Sequence, residues 1–345
     1  MGPPKKKKLV QSLNKTLRKV EKCNIQKAKQ ERREQQLAKT NKQKVYERKP
    51  TFDENDRILL IGEGNFSFAR AIADHYMQRN PALITATCLD SESVLYEKYG
   101  DEAKDNIEAL QDLGVTVLFE VDGTQLGKHK LIRKNRYTKI IFNFPHAGAG
   151  IKDQDHNVRA NQALLNDFFA SATPFLSIQG EKRRHRSGNS NVLDMEPENE
   201  EEGGELATAS DEPLPDGEIH VTIKTCKPYN LWDVKRLAKT TGALAVKATL
   251  PFNPTFYPGY EHRRTLGFKE GVSQGNNAEI LKSDPKTFVI VRKDAMAQEF
   301  ERSKQGAINK KKELQRQALL SKRKRKQRPR NQDDDDDDDD DDHDD

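Results

Sequence analysis

Seven short apolar segments alternate along the chain with longer amphipathic ones, and this alternation is the main evidence for its fold. The apolar segments are four to seven residues long and rich in Ile, Val, Leu and Phe. Such segments are typical of strands buried on both faces of a sheet. We predict strands at 58–61, 84–89, 115–121, 140–143, 219–224, 245–250 and 287–291.

Amphipathic segments with a helical period lie between most of these strands. We predict helices at 66–79, 91–113, 126–136, 157–176 and 230–242, of which 126–136 has the poorest period. Gly100 should break the second helix, and Pro174 should kink the last turn of the fourth. Asn230 is expected to cap the fifth helix, which should end near Gly242.

The alternation predicts an α/β fold with a mainly parallel sheet and helices on both faces. The last two strands differ, because residues 250–287 contain a Pro-, Gly- and aromatic-rich stretch and no good helical pattern. We therefore expect these strands to form a terminal antiparallel hairpin. Five β-α units followed by a long hairpin make up the Rossmann-like, seven-stranded sheet of class I methyltransferases, whereas a dinucleotide dehydrogenase more often has a sixth unit.

Charge is strongly segregated along the chain and suggests where the folded domain ends. Residues 1–50 carry a net charge of +13, residues 303–332 carry +11, and residues 333–345 contain 12 aspartates. Segment 181–217 is acidic and has no hydrophobic period. We predict one domain over 51–302 with this segment as a disordered insertion. A disordered or helical basic arm precedes the domain, and disordered basic and poly-Asp tails follow it.

The remaining composition points to a compartment and an assembly state. The three cysteines are widely spaced and show neither a disulfide nor a zinc-ligand pattern, so we expect a reducing compartment and no metal. No apolar run is long enough to cross a bilayer, so no membrane is expected. Basic clusters at Lys5–Lys8 and Lys322–Lys326 resemble nuclear or nucleolar addresses. No heptad or apolar surface stripe is evident, so we expect a monomer.

The turn after the first predicted strand is the best candidate for a cofactor loop. It consists of Gly62, Glu63, Gly64, Asn65, Phe66 and Ser67. Glycines allow positive φ and close backbone approach, and the next helix offers free N–H groups. The third glycine of a dinucleotide site is missing, which disfavours a pyrophosphate. A nucleoside with an amino-acid tail, such as S-adenosylmethionine, suits the loop better; the alternative is a tight strand-helix turn without a ligand.

Two acids at the ends of the next strands complete the candidate cofactor site. Asp90 follows the second strand, where an acid can accept both ribose hydroxyls of a nucleoside. Asp122 follows the third strand, where it can meet the adenine amino group. The alternatives are that Asp90 caps the following helix and that Asp122 is a turn residue before Gly123.

The fourth strand ends in Asn143-Phe144-Pro145-His146, the candidate catalytic loop. It resembles the Asn/Asp-Pro-Pro-aromatic loop of methyltransferases that act on planar nitrogens of bases, although Phe144 replaces the first proline and His146 the aromatic residue. We expect Asn143, Pro145 and His146 to be catalytic. The alternative is that His146 is structural.

The segment from Phe252 to Phe268 interleaves rings with cations and is the candidate RNA-binding region. Tyr257 and Tyr260 would stack on extruded bases, and Arg263 and Arg264 would contact phosphates. The alternative is that the rings pack the hairpin over the sheet.

Four motifs, taken in order, carry a family resemblance. They are Gly-Glu-Gly-Asn-Phe-Ser-Phe, Asn-Phe-Pro-His-Ala-Gly, the strand at 217–224 and Pro-Tyr-Asn-Leu-Trp at 228–232. Over residues 55–292 the chain closely resembles the 25S rRNA (uridine-N3)-methyltransferase family. The resemblance implies S-adenosylmethionine-dependent methylation of a uridine N3 in large-subunit ribosomal RNA, in the nucleolus.

This resemblance leads to a working mechanism. The target base would be flipped toward the loop at Asn143, His146 would stack on the base or take the N3 proton, and Asn143 would orient the ring. The basic arms would add affinity for ribosomal RNA or a pre-ribosomal particle. Two alternatives stay open: a related methyltransferase acting on tRNA or another RNA, and a non-catalytic ribosome-assembly factor.

Overall fold

The computed structural model describes residues 50–148, 153–180, 213–264 and 277–326, together with Arg32. The rest of the basic arm before residue 50, residues 181–212 of the predicted insertion and the poly-Asp tail lie outside the described residues.

The core of the domain is one seven-stranded sheet. Its strands are β1 (Ile58–Ile61), β2 (Ile84–Thr87), β3 (Thr116–Leu118), β4 (Lys139–Asn143), β5 (Glu218–Ile223), β6 (Leu244–Pro251) and β7 (Lys286–Arg292). They lie in the order β3-β2-β1-β4-β5-β7-β6. The first five are parallel, and β7 runs antiparallel between β5 and β6. This arrangement confirms the predicted class I methyltransferase fold.

Five of the described helices follow the predicted pattern with small shifts, and the two after residue 277 were not predicted. They are α1 (Ser67–His75), α2 (Glu92–Asp112), α3 (Lys130–Lys134), α4 (Gln154–Ala172), α5 (Val234–Thr240), α6 (Ala278–Leu281) and α7 (Lys293–Lys326). Gly100 interrupts α2 with a φ of 60°, and Pro174 lies in a 3₁₀ turn that ends α4, as expected. The prediction that Asn230 caps α5 is wrong. Asn230 lies in a preceding 3₁₀ turn, and Asp233 caps the helix by accepting a hydrogen bond from the Arg236 N–H.

Strands β2 and β3 are shorter than predicted, because the chain leaves the ladder near the carboxyl edge of the sheet. Irregular backbone hydrogen bonds replace the regular pairing there. The Cys88 N–H donates to the Leu118 carbonyl (2.9 Å), and the Val121 N–H donates to the Cys88 carbonyl (2.9 Å). The Glu120 N–H donates to the Asp90 carbonyl (3.2 Å). The segments that carry the two predicted cofactor acids are therefore fixed to each other by backbone hydrogen bonds.

The sheet separates two apolar cores because alternate strand residues face opposite sides. Leu59 and Ile61 face a core that also contains residues of α4 and α5. Ile58 and Leu60 face a second core, formed with α1, α2 and the aromatic segment after β6. The aromatic segment is thus part of the folded core beside α1, which decides how its residues can function.

The last residues of the predicted insertion are ordered, which corrects the expectation of disorder for 213–217. The Ser177 hydroxyl donates to the Pro215 carbonyl (2.6 Å), and the Gln179 N–H donates to the Asp216 carboxylate (3.0 Å). A Cβ on Gly217 would lie 2.7 Å from the Tyr137 carbonyl oxygen, so only glycine fits against this backbone. These contacts lead the chain directly into β5.

The compact domain extends through Lys293, and a second unit begins at Asp294. The described part of that unit is helix α7, so the expected disorder is corrected for 303–326. The helix is rich in Lys, Arg, Gln, Ala and Leu, which have high helix propensity, and its side chains at 301–320 are exposed. Within the described ranges, no helix is long and apolar enough to span a membrane.

Candidate active site

The carboxyl ends of β1 to β5 meet at one edge of the sheet, where the order reverses between β1 and β4. Ligands of open α/β sheets bind in the crevice at such an edge. Gly62 leaves β1 with a φ of +67°, and a Cβ there would lie 2.8 Å from Cε2 of Phe142 on β4. The Glu63 N–H donates to the Thr87 carbonyl (2.8 Å). The turn therefore requires glycine and is tied to β2.

Three predicted loop residues have buried side chains that hold the loop in place. Asn65 is 4% exposed, and its amide donates to the Glu102 carboxylate (2.7 Å). The Ser67 hydroxyl accepts from the Glu261 N–H (3.0 Å) and lies 2.8 Å from Asn65 Oδ1. Phe66 is fully buried and has a φ of 60°. The side chains of Asn65, Phe66 and Ser67 thus serve the loop's architecture.

Glu63 occupies a different environment. Its carboxylate accepts a hydrogen bond from the Ala69 N–H in the first turn of α1 (3.3 Å). Burial raises the pKa of Glu63, and this hydrogen bond offsets only part of that effect, so that the pKa is about 7. A cation placed beside Glu63 would favour its ionised form.

The two predicted acids differ in what they contact. Asp90 forms an ion pair with Lys98 (2.7 Å) and is partly exposed. Asp122 caps a 3₁₀ turn by accepting from the N–H and hydroxyl of Thr124 (2.8 and 2.7 Å). Burial opposes the ionisation of Asp122, but hydrogen bonds from Thr124 and Gln125 outweigh it and lower its pKa. Asp122 therefore caps a turn, which was the alternative that the sequence left open. Asp90 is paired with a partly exposed lysine that a ligand can displace.

The loop after β4 is held on both sides. Phe144 has a φ of 50°, and its ring lies 4.6 Å from that of His262 and 5.6 Å from that of Phe252. Pro145 is buried. Asn143 Nδ2 is enclosed and has no hydrogen-bond partner among the described residues. A buried donor without a partner costs about 1–3 kcal/mol, so this amide is suited to an acceptor brought by a ligand.

His146 is oriented by its own loop. The Gly148 N–H donates to His146 Nδ1 (3.2 Å), while the Ala147 N–H donates to Asn161 on α4 (2.8 Å). Burial lowers the pKa of His146, so the ring is neutral at pH 7. Because Nδ1 accepts, the neutral ring carries its proton on Nε2. Its other neighbour is Trp232, whose ring lies 6.1 Å away.

The structure corrects the predicted RNA-binding set. Tyr257 and Tyr260 are 9% and 8% exposed, and their rings lie 4.8 and 5.3 Å from that of Phe68, so neither can stack on a base in this conformation. Arg263 pairs with Glu102 (2.9 Å) and with Glu261. These three residues join the aromatic segment to α1 and α2, as the packing alternative supposed.

Arg264, the fourth member, is half exposed, pairs with Glu279 (2.8 Å) and lines a cleft of about 410 Å³. Lys224, Cys226, Tyr229, Glu279 and Lys282 also line this cleft. Lys224 follows β5 directly, and its ammonium donates to Glu279 (2.7 Å). Lys224 was not among the predicted site residues, although a polar side chain after a buried strand is the signal that identified Asp90, Asp122 and Asn143.

Comparisons with known proteins agree on the family. The family model described as rRNA (uridine-N3-)-methyltransferase BTM5-like matches residues 59–264. The chain is 31% identical over 257 residues to 25S rRNA (uridine(2634)-N(3))-methyltransferase of Saccharomyces cerevisiae, covering 68% of this chain and 72% of that protein. It is 33% identical over 216 residues to an uncharacterized protein of Arabidopsis thaliana, covering 63% and 85%.

Among solved structures, the fibrillarin/Nop5p complex matches with a TM-score of 0.35 and 11% identity, covering 71% of this chain and 77% of that one. The fold assignment rests on the strand order and not on this likeness. With a family model that matches more than half of its length, the chain belongs to the rRNA (uridine-N3)-methyltransferase family.

Proposed function

We propose that this protein transfers the methyl group of S-adenosylmethionine to N3 of a uridine in large-subunit ribosomal RNA. The observation that carries the proposal is the placement of the glycine turn after β1 and the Asn143–His146 loop after β4 at adjacent strand ends, in a member of this family. In the reaction the N3 proton is lost, N3 attacks the methyl carbon, and the C–S electron pair stays on sulfur.

The cofactor would lie over the turn after β1. Gly62 and Gly64 let its amino-acid tail approach the backbone. Asp90 would accept the ribose hydroxyls, with Lys98 releasing or sharing the carboxylate, and Asp122 would lie beside the adenine. The cofactor carries an ammonium and a sulfonium, and either charge would ionise Glu63.

The target uracil would be extruded from its pairing and enter beside β4, because N3 is inaccessible within a duplex. A uracil offers the two carbonyl acceptors O2 and O4, one on each side of N3. Asn143 Nδ2, which has no hydrogen-bond partner in the described part of the chain, would donate to one of them. His146 would present Nε2–H and act as a donor or a stacking surface, since its Nδ1 lone pair is already engaged.

The charged segments would supply affinity for RNA. Lys- and Arg-rich chains bind phosphates without regard to sequence and lose affinity with salt. Residues 1–50 and the basic helix α7 fit this role in a pre-ribosomal particle, and the Lys5–Lys8 and Lys322–Lys326 clusters fit nuclear and nucleolar delivery. Arg264 and the cleft that it lines would replace Tyr257 and Tyr260 as the RNA contact.

The test uses cells in which the gene for the protein is deleted and which express no copy, wild type or Asp90→Ala. N3-methyluridine is mapped in the RNA of each. We expect one N3-methyluridine of large-subunit RNA to disappear without the protein, to return with wild type and not to return with Asp90→Ala. Asp90→Ala should weaken cofactor binding by roughly tenfold to a hundredfold, since a hydrogen bond to a charged group contributes about 1.5–3 kcal/mol.

Asp112→Ala, at the exposed end of α2, is the matched control and should restore the modification fully. Unchanged N3-methyluridine in the deleted cells would refute the substrate. Loss of a modified nucleoside in tRNA would instead favour the tRNA alternative. Normal rescue by Asp90→Ala would contradict the cofactor site.

A further inference from the structure

Lys224 is a buried lysine at the carboxyl end of β5, the strand next to the one that carries Asn143. It directly follows β5, whose Thr222 pairs with Asn143 of β4. Side chains two residues apart along a strand lie on the same face, so Lys224 continues the row of side chains that contains Thr222. Its charge also acts on His146 of the loop that Asn143 begins. The residue is only 8% exposed, although lysines are almost never this buried without a partner.

The contacts of Lys224 leave part of its ammonium available. Within the described ranges, the Glu279 carboxylate is the one hydrogen-bond acceptor of this ammonium, at 2.7 Å. The nitrogen also lies 5.5 Å from the centre of the Tyr229 ring. An ammonium has three donors, so two remain for a ligand. The cleft of about 410 Å³ opens at this point.

The groups around Lys224 keep this corner of the site positively charged. The titratable neighbours are Glu279, Arg264, Lys282, Cys226, Tyr229, His146 and His262. Burial, together with the positive charge of Lys224, lowers the pKa of His262 to about 4. Both imidazoles are therefore neutral at pH 7. Glu279 pairs with Lys224 and Arg264 and offsets one of the two charges.

Methylation at N3 of uridine has a particular electrostatic requirement. The imide N3–H is a weak acid, and N3 becomes nucleophilic only when that proton has left. The electron pair then spreads over N3, O2 and O4, so negative charge appears on the two carbonyl oxygens. A fixed cation at one of these oxygens stabilises the anion in a site with little water. Sites for exocyclic amino groups have no such requirement.

We propose that Lys224 is a catalytic residue whose ammonium contacts a carbonyl oxygen of the extruded uracil and stabilises the N3 anion. The proton of N3 passes to solvent, the N–H electron pair stays on the ring, and N3 then displaces sulfur from the methyl carbon. Glu279 holds the ammonium in position. This inference rests on the proposed function and assigns the group that makes uridine reactive.

The test compares RNA whose uridines differ in acidity. Large-subunit ribosomal RNA is transcribed with UTP or with 5-fluoro-UTP, because fluorine withdraws electrons and makes N3–H more acidic. Single-turnover methyl transfer is measured for the full-length protein as wild type, Lys224→Met and Lys224→Gln. The Gln variant keeps a hydrogen bond to Glu279 without the charge, so it addresses folding. Lys239→Met, an exposed lysine of α5, is the matched control.

At pH 7 we expect both Lys224 variants to be about a hundredfold slower on uridine RNA, as for the removal of one preorganised donor. On 5-fluorouridine RNA the loss should shrink to less than about tenfold. Raising the pH toward the ionisation of free uridine should shrink it in the same way. The cofactor affinity of both Lys224 variants and the methyl-transfer rate of Lys239→Met should match those of wild type.

An equal loss on both RNAs would overturn the inference, because a purely structural ion pair with Glu279 does not depend on the acidity of the substrate. Wild-type rates in both variants would overturn it as well. Failure of wild type to form N3-methyluridine on either RNA would instead refute the proposed function. The two failures are therefore distinguishable within one experiment.

Discussion

The β1–β3 half of this sheet edge, where we propose that the cofactor binds, differs from the β4–β5 half, where we propose that the target base binds. The difference lies in how completely their polar side chains are hydrogen-bonded. We call them the cofactor half and the acceptor half. In the cofactor half, Asn65, Ser67 and Asp122 each make hydrogen bonds within the protein. In the acceptor half, Asn143 Nδ2 and Trp232 Nε1 are buried without partners among the described residues. We infer that the protein alone holds the first half in place and that a ligand completes the second.

This difference has a physical basis. Two buried donors without partners cost about 1–3 kcal/mol each, which a protein retains where function requires it. The satisfied half also supports the open one, because Ser67 and Glu102 bind Glu261 and Arg263, just before the cleft residue Arg264. Rigid support on one side and unpaired groups on the other are typical of a site that binds one ligand on a fixed platform.

The largest expected effect breaks the platform itself. Gly62→Ala would force an alanine to a φ of +67° and place its Cβ 2.8 Å from the Phe142 ring. We expect a loss of roughly 2–4 kcal/mol in the free energy of unfolding, from backbone strain and overpacking together. Gly114→Ala is the matched control: its φ is +78°, but its Cβ would meet Ala82 at an ordinary 3.6 Å. Urea denaturation and cofactor titration measure both variants; equal losses would contradict the close approach.

A paired substitution tests the contrast directly. Asn65→Ala should lower the free energy of unfolding by about 1–3 kcal/mol, because Glu102 and Ser67 lose a buried partner. Asn143→Ala removes an amide nitrogen that has no hydrogen-bond partner among the residues described. We therefore expect stability to change by less than about 1 kcal/mol and methyl transfer to fall roughly tenfold to a hundredfold. Thermal unfolding and single-turnover rates give both readouts. A large destabilisation by Asn143→Ala would show that its amide is structural.

The features that could be predicted from the sequence are those that depend on neighbouring residues, and the features that could not depend on contacts between distant ones. Periodicity identified all seven strands and the antiparallel finish, because buried strands and amphipathic helices have local signatures. It also located the turn at Gly62 and the loop at Asn143, since both follow apolar strands. The inward orientation of Asn65 and the burial of Tyr257 depend on contacts from distant parts of the chain. Lys224 follows an apolar strand as Asp90 does, but its burial and its contacts with Glu279 and Tyr229 depend on distant parts of the chain.

The smallest expected effect concerns Glu63, whose carboxylate accepts a hydrogen bond from the Ala69 N–H. Burial raises the pKa of Glu63 from 4.5 to about 7, so the folded state holds a proton that the unfolded state has lost between these pH values. Stability should therefore fall as pH rises from about 4.5 and level off above about 7. The buried His262, with a pKa lowered to about 4, acts in the opposite direction, so only a difference between variants isolates Glu63.

Glu63→Gln supplies that difference, because its amide oxygen can still accept from the Ala69 N–H but does not titrate. One pKa unit corresponds to about 1.4 kcal/mol, and partial exposure reduces the expected gain of the variant above pH 7 to on the order of 1–2 kcal/mol. Below pH 4.5 the two proteins should unfold alike, and Glu97→Gln, on the exposed face of α2, should follow wild type throughout. Saturating S-adenosylmethionine should reduce the advantage of Glu63→Gln, since the cation of the cofactor would favour the ionised carboxylate. An advantage that persists with bound cofactor would place Glu63 outside the cofactor site and leave it as a helix-capping residue of α1.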